Sequence, residues 1–127
     1  MKMQESAEMY LETILILSQK NHNVRSIDIA FELDYKKPSV SVAMKNLREN
    51  EYINMDSDGY ITLTEKGKKI AETMYERHTI ISDWLIHLGV KKDIAVEDAC
   101  RMEHVISVDS FNAIKKHLKV LKNCNKK

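Results

Sequence analysis

Three glycines and one proline punctuate 127 residues. These are the residues that let a chain turn sharply or stop a helix, so a chain this poor in both must spend most of its length in helices. The hydrophobic spacing agrees. Residues 4–21 place Tyr10, Ile14 and Leu17 on one stripe with Leu11 and Leu15 beside it, the spacing of an amphipathic helix. Ser26 is positioned to cap a short helix, "IDIAFEL". A break at "DYKK" follows, and Pro38 suits the first turn of a helix running to about Asn50. Two short extended pieces near 52–56 and 60–63 are joined by "SDG", with glycine where a hairpin needs positive φ. Thr64 opens a long helix ending at Gly89, and Gly67 near its start is a mild cost to it. Asp93 can cap a further helix through about His104. Ser107 or Asp109 can cap the last one, whose stripe is Phe111, Ile114, Leu118 and Leu121.

This order predicts a mainly α protein. Residues 1–70 have the content of a winged helix–turn–helix, 71–123 form a helical domain, and 124–127 a tail. The second part is too short to bury a secure core alone. Its long helix is apolar on more than one side: Met74, Ile81, Leu85 and Leu88 make a stripe, and Ile80 and Trp84 flank it. A second copy packed on that surface, a homodimer, is the expectation. Apolar residues make up 43% and charged residues 31%, a globular profile. Two cysteines are no disulfide framework, and Cys124 in "KNCNKK" reads as a free tail thiol. Neither a secretory signal nor an apolar run of ~18 residues is visible, which points to the cytoplasm and no membrane partner.

Net charge is only +1, so any nucleic-acid footprint must be local. The segment "KKPSVSVAMKNLR" supplies one. At ~100° per residue Val40, Ala43, Met44 and Leu47 face inward, while Ser41, Val42, Lys45, Asn46 and Arg48 face outward. Lys36, Lys37, Lys45 and Arg48 are its four basic residues, and it has no acidic one. Small and polar side chains that permit close approach to base edges, with cations for phosphates, are what a recognition helix needs. The expected DNA-contacting set is Lys36, Lys37, Pro38, Ser39, Ser41, Val42, Lys45 and Arg48. A solvated amphipathic helix has the same pattern; the flanking helix and hairpin favour the DNA reading. Against it, residues 1–72 carry ten basic and twelve acidic side chains, and Asp56 and Asp58 make the hairpin a weak phosphate binder.

The stretch "DACRMEH" puts Cys100, Glu103 and His104 at i, i+3 and i+4, in a sector adjoining the apolar stripe of Ala95, Ala99, Met102 and Ile106. Thiolate, carboxylate and imidazole all bind metals, and one helix can present all three together. A small core thiol beside a surface Glu–His pair fits equally well. Met9 and Glu12 share a face of the first helix off its apolar stripe, and His78 lies on an apolar face of the long helix in "ERHTII". Each could be an ordinary structural residue.

"AEMYLETIL", the helix–turn–helix, "ERH" and "EDACRMEHVIS", in that order over about residues 5–120, resemble the diphtheria-toxin-repressor/manganese-transport-regulator family of metal-dependent repressors. The resemblance implies metal ligands at Met9, Cys100, Glu103 and His104, with His78 at a second metal position. Methionine and cysteine at the first two of these positions mark the iron-responsive type; carboxylates there mark the manganese-responsive type. Glu12, however, matches a ligand of the manganese type, and the short chain lacks the third domain of longer iron repressors. Ser82 stands where the iron type has a glutamate ligand, with Asp83 adjacent. Soft sulfur donors suit Fe²⁺ better than Mn²⁺, so Fe²⁺ is expected first and Mn²⁺ second, with Zn²⁺, Co²⁺ and Ni²⁺ as substitutes in vitro. The implied activity is metal-loaded binding of a homodimer to palindromic operator DNA near metal-uptake genes, with no small organic substrate.

Two alternatives belong to other mechanisms. Cys100 could serve an oxidant sensor on the same winged helix, which would release DNA without any metal. A metal buffer that never reads DNA would be indifferent to charge reversal at Lys45 and Arg48. An enzyme is not expected: a zinc-protease helix, a phosphate-binding glycine loop and a nucleophile elbow are all absent.

Overall fold

A computed structural model of the chain describes residues 5–20 and 23–125. The ends expected for the first helix at residues 4 and 21, the side chain of Cys124 and residues 126–127 lie outside that description. The chain divides into two compact units, Met1–Thr73 and Met74–Lys127.

In the first unit, helix α1 (Glu5–Lys20) buries Leu11, Ile14 and Leu17, as its spacing predicts. Helix α2 (Ser26–Leu33) begins one residue earlier than expected. Its cap is Arg25, whose backbone N–H donates to the Asp28 carboxylate at 2.9 Å, so Ser26 is already the first helical residue. An acidic side chain at the third helical position does the work that the serine was expected to do. At the other end Asp34 adopts the left-handed conformation (φ 55°), and the Tyr35 N–H reaches back to the Ala30 carbonyl at 2.9 Å. That closure stops the helix without glycine.

Helix α3 (Lys37–Glu49) follows with Pro38 in its first turn, and buries Val40, Met44 and Leu47. Strands β1 (Ile53–Met55) and β2 (Ile61–Leu63) pair antiparallel, Asn54 opposite Thr62. An isolated antiparallel bridge also joins Val24 to Ile61 of β2. At the tip, Asp56 accepts backbone N–H bonds from Asp58 and Tyr60 on one carboxylate oxygen, and Gly59 takes φ 84°.

Helix α4 (Glu65–His87) is capped by Thr64, whose hydroxyl accepts from the Gly67 N–H at 3.1 Å. Gly67 is more than a weak helix former. A Cβ there would stand 2.0 Å from the Tyr52 carbonyl oxygen, so the helix can approach the backbone just before β1 this closely only without a side chain.

The second unit holds the rest of α4, helix α5 (Lys92–Val105) and helix α6 (Val108–Asn125). The cap of α5 is Lys91 rather than Asp93, which sits within the first turn, where a negative charge favours the helix dipole. Ser107 caps α6 by accepting from the Ser110 N–H at 3.1 Å. The core of this unit is small: Ile81, Ala99 and Phe111, with Ile80, Leu85, Met102 and Ile106 against them. Leu88 lies beyond the end of α4 and is exposed, as are Ile94, Val96, Val105, Val108 and Val120. So much uncovered apolar surface on so small a core is what a self-associating unit carries. No helix among the described residues is long and apolar enough to cross a membrane.

Candidate metal centre

Within the second unit, α4 and α5 bring three of the expected ligands together. The His78 Nδ1 lies 3.2 Å from Glu103 Oε2, and the His104 Nε2 lies 3.2 Å from Glu103 Oε1. Each carboxylate oxygen therefore faces an imidazole nitrogen. The Glu103 side chain is completely buried and that of His104 is 2% exposed. Spacing on α5 placed both at the edge of the core; the structure buries both side chains. A carboxylate taken fully out of water requires cationic or hydrogen-bonding compensation. Two imidazoles supply that when protonated, and bound divalent metal supplies it when these groups act as ligands.

Arg77 holds this arrangement in place, and the sequence reading overlooked it. Its guanidinium donates to the backbone carbonyls of Glu103 and Ile106 at 3.0 and 2.9 Å and lies 5.5 Å from the Phe111 ring centre. The last carbonyls of a helix have no intrahelical donor, so a half-buried arginine beside His78 both satisfies the end of α5 and fixes where Glu103 projects. The available signal was its place in "ERH", next to a candidate ligand. Cys100 sits one turn before Glu103 and is half-buried.

The residues around the second expected position are engaged elsewhere. Asp83 pairs with Lys122 at 2.7 Å and with His87 at 3.3 Å, and the Ser82 hydroxyl donates to the Thr79 carbonyl at 3.1 Å.

Met9 and Glu12 belong to the first unit, on α1. Glu12 is buried, 6% exposed, although it lies off the stripe that the sequence assigned to the core. The Met9 sulfur accepts a hydrogen bond from the Tyr35 hydroxyl at 3.4 Å, and the Met9 carbonyl accepts one from Thr13 at 2.8 Å. Tyr35 also meets Tyr10 edge-on, ring centres 6.0 Å apart. Burial, and then Tyr35 nearby, push the Tyr10 hydroxyl above its ordinary pKa. The side chains of the second unit by themselves, two imidazoles and a carboxylate with the Cys100 thiol one turn away, are of the kind that suits a borderline divalent transition metal.

On α3 the expected DNA-facing residues Lys36, Lys37, Pro38, Ser39, Ser41, Val42, Lys45 and Arg48 are all exposed. Two lysines at the start of a helix combine positive charge with outward backbone N–H groups, a good phosphate seat. The hairpin offers less. Its tip oxygen is occupied by its own backbone, and the Arg25 guanidinium lies 4.5 Å over the Tyr60 ring.

Two family models match along the chain: the N-terminal DNA binding domain of iron dependent repressors over residues 2–60, and their metal binding and dimerisation domain over residues 64–127. The transcriptional regulator MntR of Escherichia coli is 34% identical over 106 residues, 84% of this chain and 68% of its own. The iron-dependent repressor IdeR of Mycobacterium tuberculosis is 30% identical over 120 residues, 94% of this chain and 51% of its own. The solved structure of the manganese regulator SloR superposes with a TM-score of 0.79 at 29% identity, covering 89% of this chain and 53% of that one. The chain thus spans about half the length of the last two.

Proposed function

This chain belongs to the diphtheria-toxin-repressor/manganese-transport-regulator family of metal-dependent transcriptional repressors, and we propose that Fe²⁺ is the metal that loads it, with Mn²⁺ second. Its relatives are regulators, not enzymes. The observation that carries a metal reading is the His78–Glu103–His104 cluster around the fully buried Glu103 carboxylate, three donors compensating one another at the dimerisation end of the chain. The proposed ligand set is Met9, Cys100, Glu103 and His104, with Glu12 and His78 as the further donors of a second ion. The iron preference rests on the sulfur atoms of Met9 and Cys100, which are softer than the oxygens that Mn²⁺ favours. The burial of Glu12, an oxygen donor, is what keeps Mn²⁺ as the second reading. Zn²⁺, Co²⁺ and Ni²⁺ bind in vitro by the general affinity order.

The division of labour follows from the sequence. Residues 1–70 read DNA through Lys36, Lys37, Pro38, Ser39, Ser41, Val42, Lys45 and Arg48; residues 71–123 dimerise and carry most of the ligands. Ligands drawn from both parts make the spacing of the two reading helices of a homodimer depend on metal loading. A palindromic operator with half-sites one DNA turn apart demands a separation near ~34 Å. A clean switch from 1:99 to 99:1 needs the loaded arrangement favoured by ~5.5 kcal/mol.

Anaerobic titration of Fe²⁺ and Mn²⁺ into the metal-free chain, read by binding to a pool of palindromic DNA, tests this. Fe²⁺ activates at lower free concentration than Mn²⁺, Met9→Ala and Cys100→Ala each blunt the response, and Lys45→Glu with Arg48→Glu abolishes binding. Equal DNA affinity with and without metal overturns the switch. A parental response in both ligand variants overturns the ligand set. DNA release by a thiol oxidant in metal-free protein moves the role of Cys100 to redox sensing.

A further inference from the structure

We propose that Tyr35 is a positioning residue for the thioether of Met9, tying that donor to the turn that starts the reading helix α3. The proposal rests on the reading of Met9 as a metal ligand. Tyr35 is two-sided. Its hydroxyl donates to the Met9 sulfur at 3.4 Å, within reach for a sulfur acceptor, and its ring packs edge-on against Tyr10, so the side chain is anchored to two consecutive residues of α1. Its backbone N–H is bonded to the Ala30 carbonyl, which locks it in the turn closing α2, and the next residue, Lys36, is the cap of α3.

Methionine has three rotatable bonds and an adaptable sulfur, which makes it a poor fixed ligand unless something holds it. A thioether sulfur carries two lone pairs. The tyrosine hydroxyl engages one of them, fixing the rotamer and leaving the other for a metal. The neighbouring Met9 carbonyl is held by Thr13, so backbone and side chain of this residue are both restrained. Nothing in the spacing of α1 foretells the contact: residues 9 and 35 are brought together by the packing of α1 on α2.

The test uses the full chain labelled with ¹³C at methionine methyl groups, with Tyr35→Phe, Met9→Leu and the double variant. Tyr35→Phe removes one hydroxyl and keeps the ring that packs on Tyr10. In metal-free protein, Tyr35→Phe shifts the Met9 methyl resonance, which is identified by its loss in Met9→Leu. Anaerobic competition against a chelating dye then gives Fe²⁺ affinity. Loss of one hydrogen bond of this kind weakens it about three- to tenfold in Tyr35→Phe, and adds nothing further in the Met9→Leu background. If Met9→Leu weakens Fe²⁺ binding while Tyr35→Phe changes neither resonance nor affinity, the positioning role falls and the ligand stands. An equal loss from Tyr35→Phe in both backgrounds also overturns it. If Met9→Leu leaves Fe²⁺ affinity intact, the ligand reading falls and the proposal with it.

Discussion

Arg77 shows how much one side chain can decide. It ends α5 by satisfying two backbone carbonyls that the helix cannot, and one of them belongs to Glu103. Arg77→Met keeps the length and apolar character of the stem but removes both donors. The two carbonyls then lose hydrogen bonds to a charged group, a cost of roughly 2–3 kcal/mol. Urea denaturation of the metal-free chain measures it; a change under about 0.5 kcal/mol would show that solvent replaces the guanidinium easily. Glu103 makes the complementary point. Its position at i+3 from Cys100 was plain in the sequence. Its complete burial between two imidazoles was not, because a helical wheel gives a direction and not what lies in that direction.

Helices and their ends behave differently from single side chains. The six helices of the described residues were legible from apolar period and from the scarcity of glycine and proline, because a helix is built from local hydrogen bonds. Two caps were misplaced by a residue or two, since Arg25 and Lys91 occupy the cap positions in place of the better intrinsic formers Ser26 and Asp93. Gly67 is the sharper case. By helix propensity alone, Gly67→Ala stabilises α4 by up to about 1 kcal/mol. In the fold it drives a methyl group into the Tyr52 carbonyl oxygen, and backbone cannot step aside cheaply. The expected result is a loss of about 2 kcal/mol or more, the scale of overpacking, seen as a lower unfolding midpoint. An unchanged or raised midpoint would mean that α4 and the Tyr52 backbone separate without penalty.

For the whole molecule the link between metal and fold has a thermodynamic consequence. A ligand that binds only the folded state at a hundredfold excess over its Kd stabilises it by about 2.7 kcal/mol. For a chain of this length that raises the unfolding midpoint by roughly 10 °C. Calorimetry of the metal-free chain with and without Mn²⁺ or Fe²⁺ reads the shift, and a chelator reverses it. Equal midpoints would show that the folded chain has no site of useful affinity. The second half of the chain matches a dimerisation domain, so dimerisation enters the same balance and the midpoint is expected to rise with protein concentration.

The sequence by itself determined the helices of the described residues, the hairpin and the basic face of α3. Each follows from residue type and from spacing within about a dozen positions, where covalent geometry fixes the outcome. Only the tertiary structure decided which donors meet and what holds them. His78 lies 25 residues from Glu103 along the chain, Tyr35 lies 26 from Met9, and Arg77 reaches as far to end α5. Contacts of that kind depend on which helix faces pack together. That is set by the summed burial of many side chains, of which no single motif carries a record.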